Sequence, residues 1–235
     1  QDIINPYLPG LTWFLYGFFR LFGFSLSNWQ LLTWGIIILT DLLIYFIAFR
    51  RYGPKSALVA LAFFIIFQPL LDGNGLWFDL ATTPILLLAF YFESPPLLSV
   101  AFFFKQSVNW LFPLMYLRWK KLLVSLVILF AISYVPFAIS GTAANYLFWP
   151  WRFALTVLPV MPGHKDWGTV GLWLIALLPF LPLIWLKKSP PFYWMILSFL
   201  FVFPRFGLFH LQPALAFASL SLAASLQSIK VKKLH

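Results

Sequence analysis

The chain has 235 residues, of which 62% are hydrophobic, 21% aromatic and only 9% charged, with a mean hydropathy of +0.90. Soluble domains carry about 25% charged residues, so the composition excludes a soluble globular protein and points to an all-α, polytopic helical membrane protein. The absence of cysteine excludes disulfides, thiolate metal sites and cysteine nucleophiles.

Taken in chain order, the opening "PYLPGLTWFLYGFFRLFG" is apolar but is broken by Pro9 and Gly10 and carries Arg20. Its aromatic content suits an interfacial helix better than a span. Apolar runs then follow at about 29–49, 56–71, 80–92, 97–117, 122–140, 169–186, 192–204 and 211–229. Spans of about 20 residues are what a bilayer requires. The expectation is about seven spans plus one pair of re-entrant short helices, in a single transmembrane domain covering 1–235.

The net charge of +10 does not call for nucleic acid as a partner, because the cations gather between apolar runs. They stand as Arg50, Arg51 and Lys55; Arg118, Lys120 and Lys121; Lys187 and Lys188; and Lys230, Lys232 and Lys233. Such clusters in short loops are the positive-inside signal. With all four on the inner side, parity poses a problem at 97–117. The loops "ESPP" and "RWKK" both belong inside, yet only one apolar run separates them. Two half-helices, about 97–104 and 107–117, resolve it by turning back at Lys105, Gln106 and Ser107. Broken backbone at membrane depth survives where it is buried in protein or lines a cavity, and a lysine there marks a functional site.

The same topology collects the remaining charged groups on the external side. Asp72 and Asp79 flank "GNGLWF", Lys105 sits at the hairpin tip, and Arg205 and His210 lie in "PRFGLFHLQP". Asp2, Arg152, His164, Lys165 and Asp166 fall there too, whereas Asp41 lies mid-span and needs a protein or water partner. A carboxylate can deprotonate an acceptor hydroxyl, which makes Asp72 and Asp79 the catalytic candidates. Arginine and lysine suit a lipid phosphate, which makes Lys105, Gln106, Arg205 and His210 the substrate-binding set. Each has a plainer reading: a tight turn for Asp72, an interfacial anchor for Arg205, a structural hydrogen bond for His210. No histidine or cysteine metal signature, phosphate-cradling glycine loop or serine elbow is present.

In order, "NPYLPG", "FFRLFGFSL", "WFDLATTPILLLAFYF", "FFFKQSVNWLFPLMYL" and "PRFGLFHLQPALAF" together resemble the C-type glycosyltransferases (the GT-C superfamily). The likeness is to bacterial relatives of protein mannosyltransferases and the lipid A aminoarabinose transferase. It implies a transferase that moves a sugar from a polyprenyl-phosphate carrier to an acceptor on the external face of the plasma (inner) membrane. Asp79 would match the acidic residue that opens the helix after the second external loop. Lys105 and Gln106 would match the lysine-containing bend, and Arg205 the late arginine that helps hold the carrier phosphate. "NPYLPG" lacks the basic residue of the matching segment. The resemblance also implies a first span and a first external loop, bearing the main catalytic acid, upstream of Gln1. The chain alone is therefore expected to be inactive. A divalent cation shared by Asp79 is compatible with the resemblance but not required by it. The rival reading is a transporter or flippase component for a lipid-linked or anionic substrate, which would need polar groups at both membrane faces.

Overall fold

The computed structural model describes residues 7–157, 160–161, 168–181, 183, 188–203 and 206–232, with side chains through residue 227. Every regular element among them is helical. In order these are α1 (Gly10–Phe22), α2 (Leu26–Tyr52), α3 (Pro54–Phe67), a 3-10 turn (Pro69–Leu71), α4 (Phe78–Tyr91) and α5 (Pro95–Phe104). A long 3-10 segment (Gln106–Arg118) leads into α6 (Trp119–Ile139), then α7 (Ala143–Leu147), a π turn (Phe148–Phe153), α8 (Ala154–Thr156) and α9 (Val170–Leu177). The chain closes with α10 (Pro190–Phe199), 3-10 turns at Leu200–Val202 and Leu208–Leu211, and α11 (Gln212–Lys232).

The helix boundaries follow local chemistry. The Ser25 hydroxyl accepts from the Asn28 amide, while Asn28 Nδ2 donates to the carbonyls of Phe22 (2.7 Å) and Gly23 (3.0 Å), which ties the end of α1 to the start of α2. Arg50 and Arg51 occupy the last turn of α2, where cations offset the negative helix end. Gly53 then turns the chain at φ 86° and Pro54 opens α3. Ser94 caps α5, whose first turn holds Pro95 and Pro96, where missing N–H groups cost nothing.

Helix α11 is the axis of the molecule. Ala214, Leu215, Ala216, Phe217, Ala218, Leu220 and Ala223 are fully buried, and the helix packs against α2, α3, α4 and α10. Its alanines and serines allow close backbone approach, as between helices in a bilayer. Helix α6 is the opposite case: only Leu122 and Ser133 are buried, while Leu123, Val124, Val127, Ile128, Ile132, Val135 and Ile139 are exposed. An apolar surface of that extent needs a non-aqueous neighbour. Three segments are long and apolar enough to cross a membrane: Leu26–Tyr52, Gln106–Ile139 and Leu208–Gln227. The helices Pro54–Phe67, Phe78–Tyr91, Pro95–Phe104 and Pro190–Val202 are apolar but shorter. Among the described residues of the expected run at 169–186, the α-helix α9 has eight, so a count of seven spans is finer than the helix lengths carry.

The chain does reverse at Lys105. That residue ends α5 in an extended conformation (φ −152°, ψ 122°). The segment after it returns so far that Arg118 Nη2 meets Glu93 Oε2 at 2.7 Å, across from the start of α5. The returning arm is a 3-10 helix rather than the expected α-helix. Pro113 removes a backbone donor within it, and Met115 breaks its regularity (φ −106°, ψ 19°). This hairpin defines two ends of the molecule. Arg51, Glu93, Arg118 and Lys188 surround one cavity at the first end, so three of the four basic clusters do share a side. The Lys230–Lys233 cluster lies outside the described side chains.

Candidate functional site

The second end is assembled from three segments remote in sequence. Asp79 sits in the first turn of α4, where the positive helix end favours a carboxylate. Thr82 and Thr83 donate their hydroxyls back to the carbonyls of Phe78 (2.6 Å) and Asp79 (2.7 Å). Lys105 projects from the break after α5. His210 belongs to the short 3-10 turn Leu208–Leu211 that runs directly into α11. Two contacts hold that turn in place. The Phe209 ring stacks on Trp77 with centroids 4.3 Å apart, and Gln212 Nε2 donates to the carbonyls of Leu71 (2.7 Å) and Gln68 (3.2 Å). Gln68 in turn donates to the Gly73 carbonyl at 2.6 Å. The start of α1 closes the same end: Tyr7 lies against Phe78 with centroids 4.2 Å apart, and a Cβ at Gly10 would fall 2.5 Å from the Phe103 carbonyl oxygen.

These supports bring together a charged cluster. The Lys105 ammonium donates to Asp79 Oδ1 at 2.5 Å and Oδ2 at 2.6 Å. His210 Nδ1 lies 2.8 Å from Lys105 Nζ and 2.7 Å from Asp79 Oδ2. Asp79 is wholly buried, the Lys105 side chain is 5% exposed and the His210 side chain 12%. The ammonium and the carboxylate neutralise each other, and His210 Nδ1 faces both: unprotonated it accepts from Lys105 Nζ, protonated it donates to Asp79 Oδ2. His210 is the most exposed of the three side chains. The Phe201 ring backs the ammonium at 5.7 Å.

The structure therefore changes the expected surroundings of Lys105. Sequence reasoning gathers Lys105 with Asp79, Arg205 and His210 on the external side, with the lysine facing a lipid phosphate. Among the described residues its counter-ion is Asp79, because a buried ammonium must be neutralised within hydrogen-bond distance. Arg205 lies outside the described residues, as do Asp2, His164, Lys165 and Asp166. Gln106 Nε2 donates to the Pro150 carbonyl at 3.4 Å, joining the bend to the π turn. Asp72 is exposed and takes a left-handed conformation (φ 54°). It borders a cavity of about 470 Å³ together with Pro69, Phe206, Gly207 and Phe209. Among the described residues no hydrogen bond or ion pair joins Asp72 to Asp79. Asp41 has no hydrogen-bond partner on its buried Oδ1, so the pairing expected for it is not formed there.

A divalent cation does not fit this cluster. Both Asp79 oxygens are already occupied by Lys105 and His210, and among the described residues no three His, Cys, Asp or Glu side chains converge. Sequence reasoning passed over Gln68, Gln212, Trp77 and Phe209, whose only signal was a polar or aromatic residue beside an apolar run. No family model, curated protein or solved structure matches the chain.

Proposed function

We propose that this chain is a membrane glycosyltransferase of the GT-C kind, acting on a polyprenyl-phosphate-linked sugar at the external face. The observation that carries the reading is the Asp79–Lys105–His210 cluster. Three segments each flagged by the resemblance or by charge converge at one end of the helices, and Phe209, next to His210 in the chain, borders the cavity that Asp72 also borders. In the transfer, an acceptor O–H or N–H attacks the sugar C1. The C1–O bond to the phosphate breaks, the electron pair leaves with the phosphate, and the acceptor proton goes to a carboxylate.

This reading divides the labour among the residues differently from the sequence-based expectation. Asp79 serves as the buried anchor that holds Lys105 and His210. Asp72, exposed at the cavity rim, is the carboxylate able to meet an acceptor proton. In this reading His210 and Arg205 hold the leaving phosphate. Fixed donors in a water-poor site stabilise such developing charge strongly. The acceptor, the sugar-carrying lipid and the surrounding membrane lipids are the partners in this reading.

The test uses the purified chain in nanodiscs, titrated with polyprenyl phosphate and read by native mass spectrometry. Saturable binding that weakens at least about tenfold, about 1.4 kcal/mol, in His210→Ala and Arg205→Lys is expected. Equal binding by wild type and both variants overturns the reading. The transporter alternative draws support from one observation, the second charged cavity at the opposite end. Movement of a labelled polyprenyl-phosphate lipid across vesicles without sugar release would favour it.

A further inference from the structure

At the end opposite the Asp79 cluster, a cavity of about 440 Å³ is bordered by Arg51, Arg118, Lys188 and Ser189, with Glu93 as its single carboxylate. Binding sites for small ligands fall in this size range. Three cations against one anion leave two positive charges in excess. Positive-inside topology accounts for cations at span ends, but such cations need only water around them. Here one of them, Arg51, is packed into the wall. The Arg51 guanidinium lies 4.6 Å from the Phe90 ring and donates to the Tyr91 carbonyl at 3.0 Å, so its planar fork is held in one orientation. Glu93 holds Arg118 through both its carbonyl and its carboxylate. Lys188 is exposed and forms no ion pair among the described residues.

A second observation points to a ligand. Ser189 precedes α10, where a serine hydroxyl ordinarily accepts from backbone N–H groups of the first turn. Pro190 and Pro191 take two of those donors away, and the Phe192 amide bonds to the Ser189 carbonyl at 2.9 Å instead. Ser189 borders the cavity, and its buried hydroxyl has no hydrogen-bond partner among the described residues. Buried hydroxyls are almost always satisfied. An oriented guanidinium, an ammonium without an ion pair among the described residues and an unmatched hydroxyl form the donor set of a phosphate site.

We propose that this cavity binds a phosphate group, presented either by an anionic lipid headgroup of the adjacent leaflet or by a soluble phosphate compound. The site is separate from the transferase chemistry proposed above and stands or falls independently of it.

The test compares the purified chain in nanodiscs of phosphatidylcholine with increasing phosphatidylglycerol or phosphatidic acid, reading retained lipid by native mass spectrometry. A parallel arm titrates inorganic phosphate and glycerol 3-phosphate in detergent. Each interfacial cation contributes a factor of roughly five in affinity. Lys188→Gln and Arg51→Gln should therefore weaken binding about fivefold each, and the pair roughly 25-fold. Arg51→Lys, which keeps the charge and loses the fork, should also weaken binding and guards against misfolding of the glutamine variant. Lys120→Gln and Lys121→Gln, basic positions at the same end that do not border the cavity, should change nothing. Retention of anionic lipid alone assigns the lipid source; saturable binding of the soluble phosphates assigns the other. Binding in neither arm, or equal loss in the Lys120 and Lys121 variants, overturns the proposal.

Discussion

Lys105→Met tests whether the buried cluster is a coupled charge pair. The substitution keeps the apolar stem of the side chain and removes the ammonium that bonds both oxygens of Asp79. Asp79, wholly buried, is left with His210 alone. Breaking a buried pair by removing one partner costs about 3–5 kcal/mol. For a chain of this length each kcal/mol shifts the unfolding midpoint by roughly 2–4 °C, so the expected loss is about 6–20 °C. Asp79→Leu should cost a similar amount, because among the described residues it leaves the ammonium with the Phe201 ring and His210. The double variant Asp79→Leu/Lys105→Met removes both charges together and should melt at or above the wild-type temperature, since apolar replacement of a whole buried pair is often neutral or stabilising. Tryptophan fluorescence of the purified protein in detergent micelles reads the midpoint. If the double variant loses as much as the two single variants combined, the residues are not coupled and the charge-pair reasoning is wrong. In the proposed function, the stable double variant should still lose polyprenyl-phosphate binding, since His210 has lost the pair that orients it.

Gly73→Ala should destabilise by about 1–3 kcal/mol, because its Cβ would meet the Gln68 side chain and lie 2.6 Å from the Gln68 carbonyl oxygen. Gly17→Ala, in α1 with open space around it, should be neutral or raise the midpoint slightly. Gln212→Leu strips the donor from the Gln68 and Leu71 carbonyls and should cost about 1–3 kcal/mol by thermal melting. Arg118→Ala should cost under about 1 kcal/mol, and less at high salt, because the Arg118 and Glu93 side chains are 44% and 63% exposed. In a chain with no native cysteine, single cysteines at Lys120 and Lys188 should resist an impermeant thiol reagent on intact cells while one at Gly163 reacts. The reverse pattern would invert the proposed orientation.

Much of the site is legible in the sequence. The bend at Lys105 followed from charge bookkeeping: "ESPP" and "RWKK" could share a side only if the run between them turned back, and the Glu93–Arg118 ion pair shows that it does. Asp79, Lys105 and His210 stood out because ionisable groups beside apolar runs are costly to place. The 3-10 form of the returning arm was less legible. An α-helix and a 3-10 helix draw on similar residues, and the difference came from Pro113 and the break at Met115. The Gln68–Gln212 clamp gave no signal, since a glutamine next to a proline reads equally well as an ordinary span end.

Composition and the spacing of basic residues alone determined the helical, membrane-suited character of the chain, the shared side of the Arg51, Arg118 and Lys188 clusters, and the reversal at Lys105. These are consequences of what each residue prefers as solvent, and solvent preference is written residue by residue. Only the tertiary structure decided that Lys105 is neutralised by Asp79, that His210 completes the cluster, and that the basic span ends enclose a cavity with an orphaned Ser189 hydroxyl. Asp79 lies 26 positions from Lys105 and 131 from His210. No local pattern encodes a partner at that separation; it is set by how α4, the hairpin and α11 pack, and by the demand that a charge inside the packing find its opposite within a few ångströms.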